Sequence, residues 1–283
     1  MFSFFKRNVD PKAKLQEILK GYELPSFPAL VMQILQKIRS PYSSAADIAD
    51  SLSLDPGLSV RLLGIANSAA FSPVKRVENL TQAIALVGLS QLESLVLGVG
   101  VAKGIPKLEC HWHDPAEFWL TAARRAILAG ELARILCPSR ESECFTAAFL
   151  QDMALPFLAD HRSHEYDPIL KEWHLEGRDL AQLERKTLDW DHAEVASWIC
   201  SEWELPENIA LAIRNHHDPS TDEDSETLAP VRIVSILREN QANDGLEEMI
   251  EHVTSVYPIT ESKMRMIVEP SLEKAKDLAR IIV

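Results

Sequence analysis

Apolar residues recur at helical spacing along the chain. Val31, Ile34, Leu35 and Ile38 fall at i, i+3, i+4 and i+7 behind Pro28, which predicts one buried helix face. Ser44 and Asp47 have the spacing of a capping box, ahead of a stripe formed by Ala45, Ile48, Ala49 and Leu52. Asp55-Pro56 supplies an N-cap and a first-turn proline, with Leu58, Leu62, Ile65 and Ala66 behind it. Thr81 is expected to open a short helix that stops at Gly88. Ser90 with Glu93 is expected to cap the next helix, which runs through Val101. No period-2 alternation competes over residues 1–105, so five or six short helices and no strands are predicted.

The stretch Cys110 to Asp114 reads as a junction between two lobes. Asp114-Pro115-Ala116-Glu117 then starts a helix expected to reach Leu136, and a second should run from Glu141 to Asp152. Shorter helices are expected from Asp167-Pro168, Asp179, Asp191 and Pro206. Residues 218–226 are polar and acidic and read as an exposed loop, followed by about three more helices. The fold class is therefore all-α, in two helical lobes. The expected divisions are a segment 1–20, a domain 21–220 with lobes 21–109 and 110–220, and a helical extension 221–283.

Composition narrows the function classes. Hydrophobic content of 46% and charged content of 25% suit a folded globular domain. No apolar run approaches the length of a membrane span, and Met1 to Arg7 turns basic too soon for a secretory signal. Four cysteines form no CxxC pair, which points to reduced thiols in a cytoplasm. The net charge of −13 is uneven: residues 1–109 hold 12 basic against 9 acidic side chains, and residues 110–283 hold 17 against 33. The acidic part would repel a phosphate backbone. A helix-turn-helix reading of Ser44 to Ala69 fails on the same ground, since Asp47, Asp50 and Asp55 face a single Arg61.

Several phrases, in order, carry a family resemblance. They are Leu24-Pro25-Ser26-Phe27-Pro28, Asp55-Pro56-Gly57-Leu58-Ser59-Val60-Arg61-Leu62-Leu63, Ala66-Asn67-Ser68-Ala69 and Ala83-Ile84-Ala85-Leu86-Val87-Gly88. Phe118-Trp119, Phe149-Leu150-Gln151-Asp152, His192, Trp203-Glu204-Leu205-Pro206 and His216-His217 continue the series. Together they resemble the HDOD (HD-related output domain) family, a degenerate relative of the HD and HD-GYP metal-dependent phosphohydrolases, over about residues 20–220. Some of these positions have a physical role without the resemblance. Asp55 and Pro56 start a helix, Gly88 stops one, and Asn67 in an apolar stretch should bond backbone groups at a corner, beside Ser68. Trp119 reads as core.

The resemblance implies a cradle of His and Asp ligands in which a divalent metal would activate water. Its His-Asp pair falls on Gln151-Asp152, and its early histidine near Thr121. A neutral amide and a hydroxyl are poor substitutes for imidazole. Asp152, His192, His216 and His217 remain, and three protein ligands suffice in catalytic zinc sites. Neighbouring residues of a helix point about 100° apart, however, so His216 and His217 are not expected to share one ion. No catalytic residue and no metal or other cofactor is expected. The expectation for Asp152 is bonding to nearby helices, and for the histidines satisfied polar contacts. Cys110-His111-Trp112-His113-Asp114 lacks a second ligand cluster and reads as a polar junction. His161 and His164 read as exposed polar helix.

The resulting expectation is a regulatory, non-catalytic module of signal transduction that binds a signalling protein or a small ligand. The alternative is a divergent metal-dependent phosphohydrolase acting on a nucleotide or cyclic dinucleotide. A third reading, nucleic-acid binding, would rest on the mildly basic first lobe.

Overall fold

Short side chains that satisfy free backbone amides begin many of the helices. In a computed structural model describing residues 10–68, 71, 73–106, 114–176, 178–218, 229–239 and 244–282, Asp10 caps helix α1 (Pro11–Ile18). Helix α2 (Ala29–Arg39) buries Val31, Ile34, Leu35 and Ile38. The reciprocal Ser44–Asp47 capping box opens α3 (Ala45–Ser53), and Asp55 accepts from the amide of Leu58 to open α4 (Pro56–Ala66). Such a cap contributes about 1 kcal/mol. Among the described residues there are sixteen α-helices and no strand, in agreement with the all-α reading.

Two starts in the first lobe differ from expectation. Asn79, not Thr81, caps α5 (Leu80–Val87), its carboxamide oxygen accepting from the Gln82 amide. Helix α6 (Leu89–Gly104) has no side-chain cap. Glu93 instead meets Arg39 at 2.6 Å, because the tertiary partner outcompetes the local one. Gly88 joins α5 and α6 at φ +80°, a conformation that costs a residue with Cβ but not glycine. Helix α6 is buried around most of its circumference, packed between α2 and the second lobe.

The second lobe is built on α7 (Pro115–Leu136), capped by Asp114, and α8 (Glu141–Leu150), with a 3-10 turn at Pro138–Arg140 between them. Helix α8 stops two residues before the expected end, leaving Gln151 and Asp152 in a turn. Helix α9 (Leu155–His161) follows this turn, where the residue spacing predicts no separate helix. Helix α10 (Ser163–Glu176) starts before Asp167 and carries Pro168 in its interior. Helices α11 (Leu180–Leu188), α12 (His192–Glu202) and α13 (Glu207–Arg214) follow, the first two capped by Asp179 and Asp191. His161 stacks on Tyr22 at 3.7 Å, so it is a packing residue, while exposed His164 lies on the next helix.

The chain ends in α14 (Ala229–Val234), α15 (Leu246–Val256) and α16 (Glu261–Ile282). Helix α14 packs on α7, and α16 runs along α7 as far as α4, where Arg61 donates to the Ile281 carbonyl at 3.0 Å. Helix α1 lies against α12, so the first and last described helices both pack on the second lobe. Trp119 is buried, stacked on Phe149. No single helix among the described residues is long and apolar enough to cross a membrane. The Cys110–Asp114 cluster up to His113, and most of the 218–226 loop, lie outside the described residues.

Candidate functional site

Four elements deliver polar side chains to one spot inside the second lobe. Helix α7 carries Thr121 and, one turn later on the same face, Arg125. The turn after α8 carries Gln151 and Asp152. His192 is the first residue of α12, placed there by the Asp191 cap, and His216 with His217 occupies the turn after α13. Thr121, Gln151, His192 and His216 are each only 1–2% exposed, and Asp152 is 8% exposed.

The imidazoles converge. His192 Nε2 lies 3.3 Å from His216 Nε2 and 3.1 Å from His217 Nε2. Asp152 Oδ1 lies 3.4 and 3.5 Å from the Nε2 atoms of His192 and His216. The two adjacent histidines therefore do share a centre. They stand in a turn rather than a helix, so the 100° separation does not apply. Their outer nitrogens are committed. His192 Nδ1 meets Glu184 Oε2 at 2.7 Å and His216 Nδ1 meets the Ile213 carbonyl at 2.6 Å. With both Nδ1 atoms donating, the Nε2 atoms face inward, where they require a cation between them, either a proton or a metal ion.

Sequence reasoning missed three buried residues that govern this charge. Arg125 donates to Asp152 Oδ2 and, at 2.5 Å, to the backbone carbonyl of Leu237. Glu184 accepts from Tyr166 and from the backbone amide and ring of His192. Glu239, just beyond Leu237, is almost fully buried. The available signal was a charged residue at a core position of an apolar helix: Arg125 lies among Ala122, Ala123, Ala126 and Ala129.

Burial works against every charge here, and the partners decide each outcome. Burial disfavours ionised Asp152, but the Arg125 charge and the bonds from His192 and His216 hold its pKa well below the usual carboxylate range. Burial likewise disfavours protonated His192, yet Glu184 and Asp152 raise its pKa well above the ordinary imidazole value. His216 and His217 go the other way: burial lowers the pKa of His216 against the pull of Asp152, and burial with the neighbouring imidazole charges lowers that of His217 well below the ordinary value.

The donor set suits the metal that the resemblance implies at one position only. His192, His216 and His217 fit one divalent ion, with Asp152 Oδ1 beside two of them. A second ion does not fit. Thr121 and Gln151 offer only neutral atoms, themselves without hydrogen-bond partners, and Arg125 is already a cation at Asp152.

The family model described as HDOD domain matches residues 24–219. An uncharacterised protein of Treponema pallidum is 25% identical over 210 residues, which is 69% of this chain and 38% of that protein. The chain therefore spans well under half of that relative. A solved Shewanella amazonensis structure, provisionally named a phosphohydrolase, superposes with a TM-score of 0.75 at 21% identity, covering 96% of this chain and 99% of that one. A Marinobacter aquaeolei structure, provisionally named a signal transduction protein, gives 0.69 at 18% identity, covering 95% of this chain and 61% of the other. At these identities the likeness extends to the fold.

Proposed function

This chain belongs to the HDOD domain family, and we propose that within it the chain is a regulatory module of signal transduction that performs no phosphohydrolysis. The observation that carries this reading is the pair Thr121 and Gln151. They are buried and neutral, and they occupy the two positions where the resemblance implies metal-binding histidines. Two-metal hydrolysis relies on ions that clamp both the attacking and the leaving oxygen. The enclosure of His192 and His216 adds support, since a phosphate ester needs open access to the ligands.

A module of this kind transmits a signal by favouring one arrangement of its lobes over another. A cavity of about 250 Å³ lies where the lobes meet, with Ile65, Leu95, Ile127 and Phe145 in its lining and Glu131, Arg134 and Lys274 at its polar side. We assign it as the place where a small ligand or a segment of a signalling protein would act.

The test is hydrolysis of nucleotides and cyclic dinucleotides with manganese, magnesium or ferrous iron. The expected rate equals that of buffer. Turnover that disappears in Asp152→Ala would overturn the reading. One observation favours a second reading: three imidazoles converge as in a one-metal centre, with the Asp152 carboxylate beside two of them, and a metal held there would lower the pKa of bound water. That reading predicts Asp152-dependent turnover in the same assay.

A further inference from the structure

Arg125 occupies the part of the site that metal chemistry would need. One guanidinium nitrogen donates to Asp152 Oδ2 and the other to the Leu237 carbonyl. Arg125 is 5% exposed, so its contacts lie in a buried setting where charge interactions are strong. The contacts join α7 to the turn after α8, 27 residues on, and to the strand-free segment after α14, 112 residues on. No other side chain among the described residues brings a permanent positive charge into contact with Asp152.

From this geometry we infer that Arg125 is a resident cation that takes the place of a metal ion, closing a latent one-ion site formed by His192, His216 and His217 with the Asp152 carboxylate beside it. It neutralises the carboxylate that would otherwise attract and help hold the ion, and it repels a divalent charge arriving at the imidazoles. It also fixes the Leu237 segment over the site, so the folded lobe needs no metal to hold that segment. This inference rests on the non-catalytic reading, but it concerns ion binding rather than turnover.

The experiment compares wild type, Arg125→Gln, Arg125→Lys and the double variant Arg125→Gln/Asp152→Asn, all as the full chain without a histidine tag. Zinc(II) binding is measured by competition with a chromophoric chelator and by metal analysis after dialysis. Unfolding midpoints are recorded with zinc and with chelator. Wild type and Arg125→Lys are expected to hold little zinc. Arg125→Gln is expected to bind one equivalent about 10–100-fold more tightly, the range over which neighbouring groups shift metal affinity. The double variant should return to the wild-type level. Should Arg125→Gln fail to fold in chelator, zinc is expected to restore its folding.

The inference is overturned if wild type already holds one tight equivalent, if Arg125→Gln gains no affinity, or if zinc fails to rescue an unfolded Arg125→Gln. None of these outcomes bears on the hydrolysis assay. Conversely, Asp152-dependent turnover by the wild type would overturn the regulatory reading whatever the zinc affinity of the variants.

Discussion

Asn67 and Val77 bond each other twice across the corner that follows α4. The Val77 amide donates to Asn67 Oδ1 at 2.8 Å, and Asn67 Nδ2 donates to the Val77 carbonyl at 2.9 Å. The same Nδ2 also donates to the Leu63 carbonyl at 2.9 Å, so one side chain ties the end of α4 to the segment leading into α5.

Asn67→Ala removes these bonds at once and leaves half-buried backbone groups without partners. At about 1 kcal/mol per bond, the expected loss is roughly 2–3 kcal/mol of folding stability. Urea unfolding of the two proteins checks it. A loss below about 0.5 kcal/mol would mean that water replaces the side chain without penalty.

Trp203 seals the contact between lobes. Its Nε1 donates to the Pro25 carbonyl at 2.9 Å, and its ring packs beside Phe27 and Phe157. Trp203→Phe keeps much of the apolar contact and should cost about 1–2 kcal/mol, whereas Trp203→Ala should cost about 3–5 kcal/mol. Thermal unfolding in parallel separates the two; equal losses would show that the ring contributes little.

Two helical glycines should respond oppositely to alanine. A Cβ on Gly100 would lie 2.7 Å from Phe27 and 2.8 Å from Val31, an overpacking that costs about 1–3 kcal/mol. A Cβ on Gly130 would meet its nearest neighbours at 3.9–4.0 Å, so Gly130→Ala should gain about 0.5–1 kcal/mol from helix propensity. Denaturant midpoints decide the matter, and a matching sign for the two variants would contradict the packing described.

Glu239 should make stability fall with pH. Burial, followed by the Asp152 charge, pushes its carboxyl up to about 8, from an ordinary value of 4.5. Between those values the folded chain holds a proton that the unfolded chain has released, so its contribution declines as pH rises from about 4.5 to 8 and then levels off. Glu239→Gln should remove that slope. Wild type and variant should differ more at pH 8 than at pH 5, in favour of the variant; a pH-independent difference would contradict the assignment.

Much of the helical framework was legible in the residue order. The stripes of α2, α3 and α4 and the caps at Ser44, Asp55, Asp114, Asp179 and Asp191 stand where their spacing put them. The starts of α5 and α6 were misread because two local capping choices were available, and Glu93 was taken by Arg39, 54 residues away.

The site was legible only as a set of residue types. Thr121, Gln151, Asp152, His192, His216 and His217 could be singled out by order, but their charge states could not. Those depend on Arg125 meeting Asp152 and on Glu184 meeting His192 inside a buried space.

The sequence by itself determined where helices begin, which faces are apolar and which ionisable residues the second lobe carries. Those features arise from interactions within one or two helical turns. Only the tertiary structure decided that His216 and His217 share a centre in a turn, that Arg125 neutralises Asp152, and that α16 spans both lobes. These relations join residues far apart in the chain, and their energies come from burial and charge, which exist only once the helices have packed.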